Sequence, residues 1–408
     1  MPQVFVNGLP VGELSRGGVV PNLFVYSPRL DADHAVSLLM PTSEHSFDSL
    51  RPGQLHPIFE QNLPEGALRD ALQRMFSKAL PIFDDFALLE LVGRSLIGRL
   101  RFAQTLSDLA KAPPAQNLSA LLEARGTADL FRELLERYAT QSGISGVQPK
   151  LLVRSDGALS SSPMSSAFSG AGRTTYPGAT HIIKGFDEDR LPELAANEYA
   201  CLMAARHAGI STPRVELAKD RGLLVVERFD LKSEGGYLGF EDMCSLCGRL
   251  TRDKYDGSYE QIAKALRAFC SRETLAEDCL SLFKSIALSC MVRNGDAHRK
   301  NFGVLYDYAE CGPIRLAPAY DIITTTAYNP GDTLALTMAG TKRWPAREGL
   351  IQFGRHHCQL SQEEVIRSLD EVREGVRAAE QYLSLIVNPT IRGAVQVAWA
   401  EGSQSLAG

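Results

Sequence analysis

The most informative chemical pattern in the sequence is a carboxylate and an amide five positions apart, Asp296 and Asn301. They follow an apolar helical segment that ends near residue 292, and an Asn-Gly pair in between predicts a turn. In such a loop the carboxylate can take or orient the proton of an acceptor hydroxyl, while the amide oxygen binds Mg²⁺. Asp321, at the end of a short apolar strand, would complete the metal site, because Mg²⁺ prefers oxygen ligands. Asp296 alone would be interpreted as a turn residue or helix cap, but the three together favour phosphoryl transfer.

Two upstream residues could serve such a site. Lys184 ends the apolar strand predicted over 181–184, and Glu198 on the next predicted helix could orient it by an ion pair. Taken separately, a strand-end charge and a solvated helix residue are the simpler interpretations. The loop 142–150 offers glycines, a lysine and free backbone N–H groups, which is how proteins cradle phosphate. It matches neither a GxGxxG nor a Walker pattern, so an ordinary turn remains an alternative.

The segment 225–230 lies where the predicted sheet gives way to helices. A backbone strand at that junction can hydrogen-bond the edge of an adenine ring, and Phe229 could lie against the ring face. A buried strand that binds no ligand explains the segment nearly as well.

Secondary-structure signals divide the chain into three parts. A small α/β unit comes first and opens with a hairpin, predicted from the Asn7-Gly8 turn between alternating apolar residues. Strands and a helix follow from residue 143, interrupted by a Ser-, Gly- and Ala-rich stretch, 155–180, that predicts a mobile loop. Beyond Phe229 the chain is predicted to be mostly helical. The main predicted strands are 24–26, 35–39, 150–154, 181–184, 215–217 and 223–227, and the main predicted helices are 68–80, 86–97, 131–138, 193–207, 259–269, 273–291 and 362–386.

Composition and charge exclude several classes of protein. The 408 residues suffice for two or three folding units, and 44% hydrophobic with 22% charged residues is typical of a globular chain. A net charge of -5 argues against a domain that binds nucleic acid by itself. Without an apolar run of transmembrane length or a signal-peptide pattern, we expect a cytoplasmic protein with no membrane partner. Eight cysteines, of which Cys244 and Cys247 form one close pair, indicate reduced thiols rather than disulfides or zinc ligands.

With its segments in this order, the chain resembles the HipA family of Ser/Thr kinases, the toxins of HipBA-type toxin–antitoxin pairs. The resemblance extends over almost the whole chain and rests on short stretches at 62–66, 92–98, 144–150, 181–184, 226–230, 295–302 and 319–322. It implies an α+β fold, a two-lobed atypical protein kinase akin to the phosphatidylinositol kinases. The implied parts are a small N-terminal α/β subdomain (1–105), a kinase N-lobe with the phosphate-binding loop (106–230) and an all-helical C-terminal lobe (231–408).

The resemblance also implies ATP and Mg²⁺ as cofactors and a role for each matching residue. Asp296 would be the catalytic base, Lys184 would bind phosphate, and His298 would contact the nucleotide. The implied magnesium ligands are Asn301 and Asp321. Ser145, Gly146, Val147, Gln148 and Lys150 would cover the phosphates, and Glu227 and Phe229 would bind adenine through their backbone.

The chain departs from the family at a regulatory serine. In the family, a serine before the glycine of this loop autophosphorylates and ejects the loop, which switches the kinase off. Here the order is Gly143-Ile144-Ser145, so only the second of the two positions keeps a hydroxyl, and Ser142 is out of register. The hypothesis is that Ser145 is the autophosphorylation site, because the added charge could not stay beside bound phosphates.

The leading hypothesis is therefore a Ser/Thr protein kinase that arrests growth by phosphorylating a translation component, which the resemblance suggests is an aminoacyl-tRNA synthetase. Its implied partner is a HipB-like helix-turn-helix antitoxin in a hetero-oligomer, with DNA bound only through that antitoxin. A catalytically silent kinase fold that acts as co-repressor with the antitoxin is the alternative. A kinase of small molecules or lipids is a third reading.

Overall fold

The structure is a computed structural model, and it describes residues 2–80, 82–109, 115–155, 178–186 and 190–407. Residues 156–177, the greater part of the predicted mobile loop, lie outside the described residues. That prediction therefore stays a prediction.

The described residues contain twelve β-strands, which are grouped in three antiparallel sheets. The strands are β1 Gln3–Val6, β2 Leu9–Ser15, β3 Pro21–Tyr26, β4 Ser46–Pro52, β5 Leu100–Ala103, β6 Lys150–Val153, β7 His181–Gly185, β8 Val215–Leu217, β9 Leu223–Glu227, β10 Gly239–Asp242, β11 Gly303–Tyr306 and β12 Ile314–Leu316.

Thirteen α-helices accompany these strands within the described part of the chain. They are α1 Pro57–Glu60, α2 Gly66–Phe76, α3 Asp85–Val92, α4 Leu106–Leu109, α5 Leu118–Glu123, α6 Thr127–Tyr138, α7 Leu194–His207, α8 Met243–Leu246, α9 Tyr259–Phe269, α10 Leu275–Met291, α11 Arg347–His356, α12 Gln362–Ala379 and α13 Pro389–Ser405. The predicted helices are confirmed with shifted ends. The last predicted one continues beyond α12 as a 3₁₀ helix, Glu380–Leu385.

The front unit is a five-stranded sheet in the order β4-β3-β2-β1-β5. The predicted hairpin is confirmed, because Asn7 and Gly8 take φ values of 49° and 82° between β1 and β2. The strand predicted over 35–39 is wrong. Ser37 and Leu38 there donate their hydroxyl and backbone N–H to the buried carboxylate of Glu241 instead of pairing in a ladder.

The second sheet has the order β6-β7-β9-β8 and carries two of the predicted site residues. Lys150 on β6 lies directly opposite Lys184 on β7 in the antiparallel register. Apolar residues of this sheet, Leu151 and Ile183, belong to the same buried cluster as Val4 and Phe24 of the front sheet. The predicted parts 1–105 and 106–230 therefore share one core.

The remainder of the chain is not all helical, so that prediction is wrong. β10, β11 and β12 form a third antiparallel sheet between the helices. These strands have only three or four residues, and β10 buries Glu241 and Asp242, so the apolar alternation that identifies a strand is missing. α7 packs along α12 and joins the second sheet to the C-terminal helices.

No helix among the described residues is both long and apolar enough to cross a lipid bilayer.

Two glycines on α13 provide a matched stability test. A Cβ at Gly402 would overlap the backbone carbonyl of Met291 at the end of α10, whereas Gly393 faces open space. We expect Gly402→Ala to lower the free energy of unfolding by about 1–3 kcal/mol through this steric overlap. Gly393→Ala should raise it by about 0.5–1 kcal/mol through helix propensity. Urea unfolding of both variants measures this, and an equal effect of the two substitutions would contradict the packing of α13 on α10.

His181, at the start of β7, should make stability depend on pH. Its ring is 3% exposed, and burial lowers its pKa from 6.5 to about 4. Because the unfolded chain binds the extra proton, stability is full above pH 6.5 and falls as the pH drops towards 4, by up to about 3 kcal/mol. His181→Gln should flatten this part of the curve of unfolding free energy against pH. The exposed His45→Gln is the control, and an unchanged slope in His181→Gln would exclude the effect.

Candidate active site

A cavity of about 510 Å³ lies between the second sheet and the loops that follow α10 and β12. Its lining brings together residues that are up to 271 positions apart in the sequence, from Gln61 to Asp332. Of the residues predicted for the site, the lining includes Ser145, Gly146, Val147, Gln148, Lys150, Lys184, Glu198, Phe229, Asp296, His298, Asn301 and Asp321.

A cluster of buried charges forms one wall of the cavity. Lys184 donates to Glu198 Oε1 at 2.5 Å and also to Asp321, and Lys150 donates to the other oxygen of Asp321 at 2.8 Å. Both lysine side chains are less than a tenth exposed. The predicted ion pair between Lys184 and Glu198 is therefore present, and Asp321 joins both lysines.

Burial and mutual attraction shift the pKa values of Asp321, Lys184 and Glu198 in the charge cluster. Burial alone would raise the pKa of Asp321, but Lys150 and Lys184 hold that pKa well below its usual range. Burial would likewise lower the pKa of Lys184, and the attraction of Asp321 and Glu198 raises it instead. Burial raises the pKa of Glu198, although the attraction of Lys184 acts in the opposite direction. The Asp321 carboxylate between two lysines is an arrangement suited to polyphosphate and a divalent cation.

The loop after α10 is held by its own side chains. Asn294 accepts the backbone N–H of Asp296 at 3.1 Å, and Thr325 accepts that of Gly295 at 2.7 Å. These bonds shape the predicted Asn-Gly turn. They present Asp296 to the cavity, which Asp321 also lines.

The carboxyl group of Asp296 is bonded to a tyrosine. The hydroxyl of Tyr255, a half-exposed residue, donates to Asp296 Oδ1 at 2.6 Å. Burial raises the pKa of Asp296 above its usual value, and the Tyr255 bond acts in the opposite direction. A raised pKa brings a carboxylate nearer to the range in which it can exchange a proton with a hydroxyl.

His298 and Asn301 are fixed to one another within a 3₁₀ turn. Asn301 Oδ1 accepts the backbone N–H of His298 at 3.1 Å, which leaves that oxygen a second lone pair for another partner. Burial and the neighbouring Lys254 lower the pKa of His298 to about 3, so the ring is neutral. Its Nδ1 has no hydrogen-bond partner among the described residues.

The loop 142–150, which the sequence predicts to bind phosphate, turns at one glycine. Gly146 has a φ of 134°, a backbone conformation that residues with a Cβ rarely adopt, and the end of the Lys150 side chain lies next to it. Ser142 is fully buried and bonds Tyr138 and Leu152. Ser145 is partly exposed and lines the cavity, so of these two serines it is the one within reach of a bound ligand.

The segment that joins the second sheet to the helices differs from the prediction in one residue. Glu227 does not line the cavity, and its backbone N–H donates to the carbonyl of Arg214. Phe229 lines it, and its ring lies 5.5 Å from that of Tyr320 and 5.6 Å from that of Phe240. The apolar end of the cavity is thus near Phe229.

Sequence reasoning missed several residues that line the cavity. These are Glu65, Lys254, Tyr255, Lys300 and Asp332. Glu65 lies within the stretch 62–66 that carries the family resemblance, and this was a signal for it. Lys300 lies within the stretch 295–302, which carries the same resemblance. Lys254, Tyr255 and Asp332 belong to no pattern in the sequence, because their residue types are common.

Comparison with known proteins places the chain in a family. Models of the HipA N-terminal domain and the HipA-like C-terminal domain match residues 2–103 and 142–380. Two Sinorhizobium fredii proteins named "Putative kinase Y4dM" and "Putative kinase Y4mE" are 28% and 30% identical. The first match covers 79% of this chain and 75% of that protein, and the second 67% and 65%.

A solved structure shows the same fold. It is the Shewanella oneidensis MR-1 toxin–antitoxin complex of HipA, HipB and its operator DNA. The match covers 100% of this chain and 96% of the matched chain in that complex. The TM-score is 0.68 at 18% sequence identity. Because the C-terminal model alone matches more than half of the residues, and the N-terminal model matches most of the rest in the same order, this chain belongs to the HipA family.

Proposed function

We propose that this HipA-family chain is an ATP- and Mg²⁺-dependent serine/threonine-protein kinase, the toxin of a toxin–antitoxin pair, on a two-lobed fold akin to the phosphatidylinositol kinases. The observation that carries the proposal is the meeting, in one cavity, of the charge cluster around Asp321 with Asp296 and Asn301. Family membership and the two kinase-named relatives favour kinase activity.

The residues present fit the nucleotide and its metal. Lys150 and Lys184 offer two buried ammonium groups to phosphates, and Asp321 with the amide oxygen of Asn301 offers oxygen ligands to Mg²⁺. When bound, ATP would supply the phosphoryl group and Mg²⁺ would neutralise the negative charge of the phosphates. In this interpretation, the lysines exchange their bonds to Asp321 for bonds to phosphate.

Asp296 is the proposed base that acts on the acceptor hydroxyl. It would accept the hydrogen bond of a serine or threonine hydroxyl and take up its proton, in the place that Tyr255 now fills. Glu198 would hold Lys184 in position, and the apolar end near Phe229 would take the adenine ring. The hydrophobic lining beside Phe229 includes Ile182, Leu202 and Val226.

Ser145 is the proposed site of autophosphorylation. Its partial exposure beside Lys150 supports this, and the structural bonds of buried Ser142 argue against the other serine. A phosphate on Ser145 would add a charge of about -1.5 to -2 to a loop that has to cover phosphates. The modified enzyme would therefore be inactive.

The proposed partner is a HipB-like helix-turn-helix antitoxin, and the proposed substrate is an aminoacyl-tRNA synthetase. The Shewanella oneidensis complex contains HipA, HipB and operator DNA, which supports a partner of this kind. The net charge of -5 on this chain favours DNA contact through the antitoxin rather than through the chain itself.

Purified protein incubated with Mg²⁺ and γ-labelled ATP, with and without a lysate, tests the kinase proposal. We expect label on Ser145 and on a lysate protein. Asp296→Ala should reduce transfer by about 10²–10⁴-fold, because it removes the group that positions the acceptor hydroxyl. Asp370→Ala on the surface of α12 is the control.

Near-normal transfer by Asp296→Ala would refute the assignment of the base. Label on small acceptors alone would favour a small-molecule or lipid kinase. Failure of the wild-type protein to transfer label, with an intact mass that excludes prior phosphorylation, would favour the silent co-repressor.

Tyr255→Phe should shift the pH profile of the kinase. The Tyr255 hydrogen bond lowers the pKa of Asp296, so its loss raises that pKa further. Because Asp296 must be unprotonated to act as a base, the acidic limb of kcat/KM should move to higher pH. Tyr308→Phe is a matched control, since both tyrosines are 41% exposed. A limb that stays in place or moves to lower pH would contradict the role of this bond.

A further inference from the structure

One short segment of the front unit contacts both loops of the candidate active site. This bridging segment, residues 61–66, runs from the end of α1 to the first residue of α2. Lys300, between His298 and Asn301 in the 3₁₀ turn region, donates to the carbonyl of Gln61 at 2.7 Å. Ser145 of the phosphate-binding loop donates its hydroxyl to Glu65.

Glu65 is held from its other side as well. Its Oε2 accepts from Lys254 Nζ at 2.7 Å, and the lysine side chain is 9% exposed. Burial would raise the pKa of Glu65, but the bonds from Lys254 and Ser145 lower it, so the carboxylate is charged. A single carboxylate thus joins residues from three parts of the chain.

The backbone next to Glu65 also touches the phosphate-binding loop. Gly66 has a φ of 49°, and a Cβ there would lie 2.5 Å from the carbonyl oxygen of Val147. Only a glycine allows this approach. The loop is therefore contacted at Ser145 by a side chain and at Val147 by the backbone of the same bridging segment.

The bridging segment is itself anchored. The amide of Gln61 donates to the carbonyl of Phe240 at 2.8 Å and accepts the N–H of Asp242 at 3.0 Å. Asn62 donates to the carbonyl of Ile97 at 2.9 Å. These bonds are buried, so the segment presents Glu65 to the loop from a fixed position.

We propose that Glu65 is a positioning residue that holds the phosphate-binding loop closed through its hydrogen bond with Ser145. This proposal rests on the proposed kinase function, because the closed loop matters only if it covers the phosphates of a nucleotide. The contact itself does not depend on that function. The front unit then supplies part of the active site.

Hydrogen–deuterium exchange of the full-length protein, without nucleotide, tests the contact. Glu65→Ala should increase the exchange rate of amides in 143–148 by at least about tenfold, because the loop loses its side-chain partner. Glu371→Gln removes a comparable carboxylate–lysine pair with Lys284, far from the loop, and should leave that rate unchanged. Unchanged exchange in α10 would show that each variant is folded.

The direct pairing of Glu65 with Ser145 has a separate test that a merely structural role would not pass. Ser145→Asp should open the loop, since two carboxylates would face each other. Adding Glu65→Gln to Ser145→Asp should restore protection of 143–148 by at least about tenfold, because the amide can donate to the aspartate. Protection of Ser145→Asp equal to wild type, or no restoration in the double variant, would overturn the proposal.

Nucleotide binding separates this proposal from the kinase function. In the same samples, Glu65→Ala should weaken the affinity for MgATP by at least about tenfold while Glu371→Gln does not. Wild-type affinity in Glu65→Ala would overturn the positioning role. A wild-type protein that binds no MgATP would refute the kinase function, and the exchange experiments would still decide on the contact.

Discussion

Much of the structure around the cavity depends on the electrostatic requirement that two buried ammonium groups share one carboxylate. Lys150 and Lys184 lie on neighbouring strands in direct register, and Asp321 arrives from a distant loop with a φ of 54°. Removing one partner of such a cluster leaves a buried charge uncompensated, which typically costs 3–5 kcal/mol. The register of the second sheet and the path of the chain after β12 must therefore both be correct before the cluster can form.

Buried charged groups that require partners also connect the front unit to the rest of the chain. Glu241 is fully buried in β10 and accepts hydrogen bonds from Ser37, Leu38 and Tyr306, which belong to two parts of the chain. Arg228 pairs with Asp230 at 2.6 Å, and Asp230 accepts the N–H of Gly98 at 2.7 Å. Since each buried group needs its partner, these bonds specify how the parts dock as well as stabilise them.

What could be predicted from the sequence was mostly local. The turn at Asn7, the pair of Lys184 with Glu198 and the spacing of Asp296 from Asn301 are read from short windows. Glu65 meets Ser145 and Lys254 across 80 and 189 positions, and no short window contains such a pair. The third sheet was missed for another reason, because β10 buries charges where a strand pattern needs apolar residues.

The first two sheets share one apolar core, so the ends of the two family regions are not the ends of independently folding units. The two family models match residues 2–103 and 142–380. Val4 and Val6 from the first region nevertheless pack in the same apolar cluster as Leu151 and Val153 from the second. α13, which follows the second region in the chain, packs on α10 inside it. A fragment truncated at the end of either region would expose apolar surface to solvent and would be prone to aggregation. The two family regions are therefore units of sequence similarity, whereas the buried apolar cores of the chain extend across their limits.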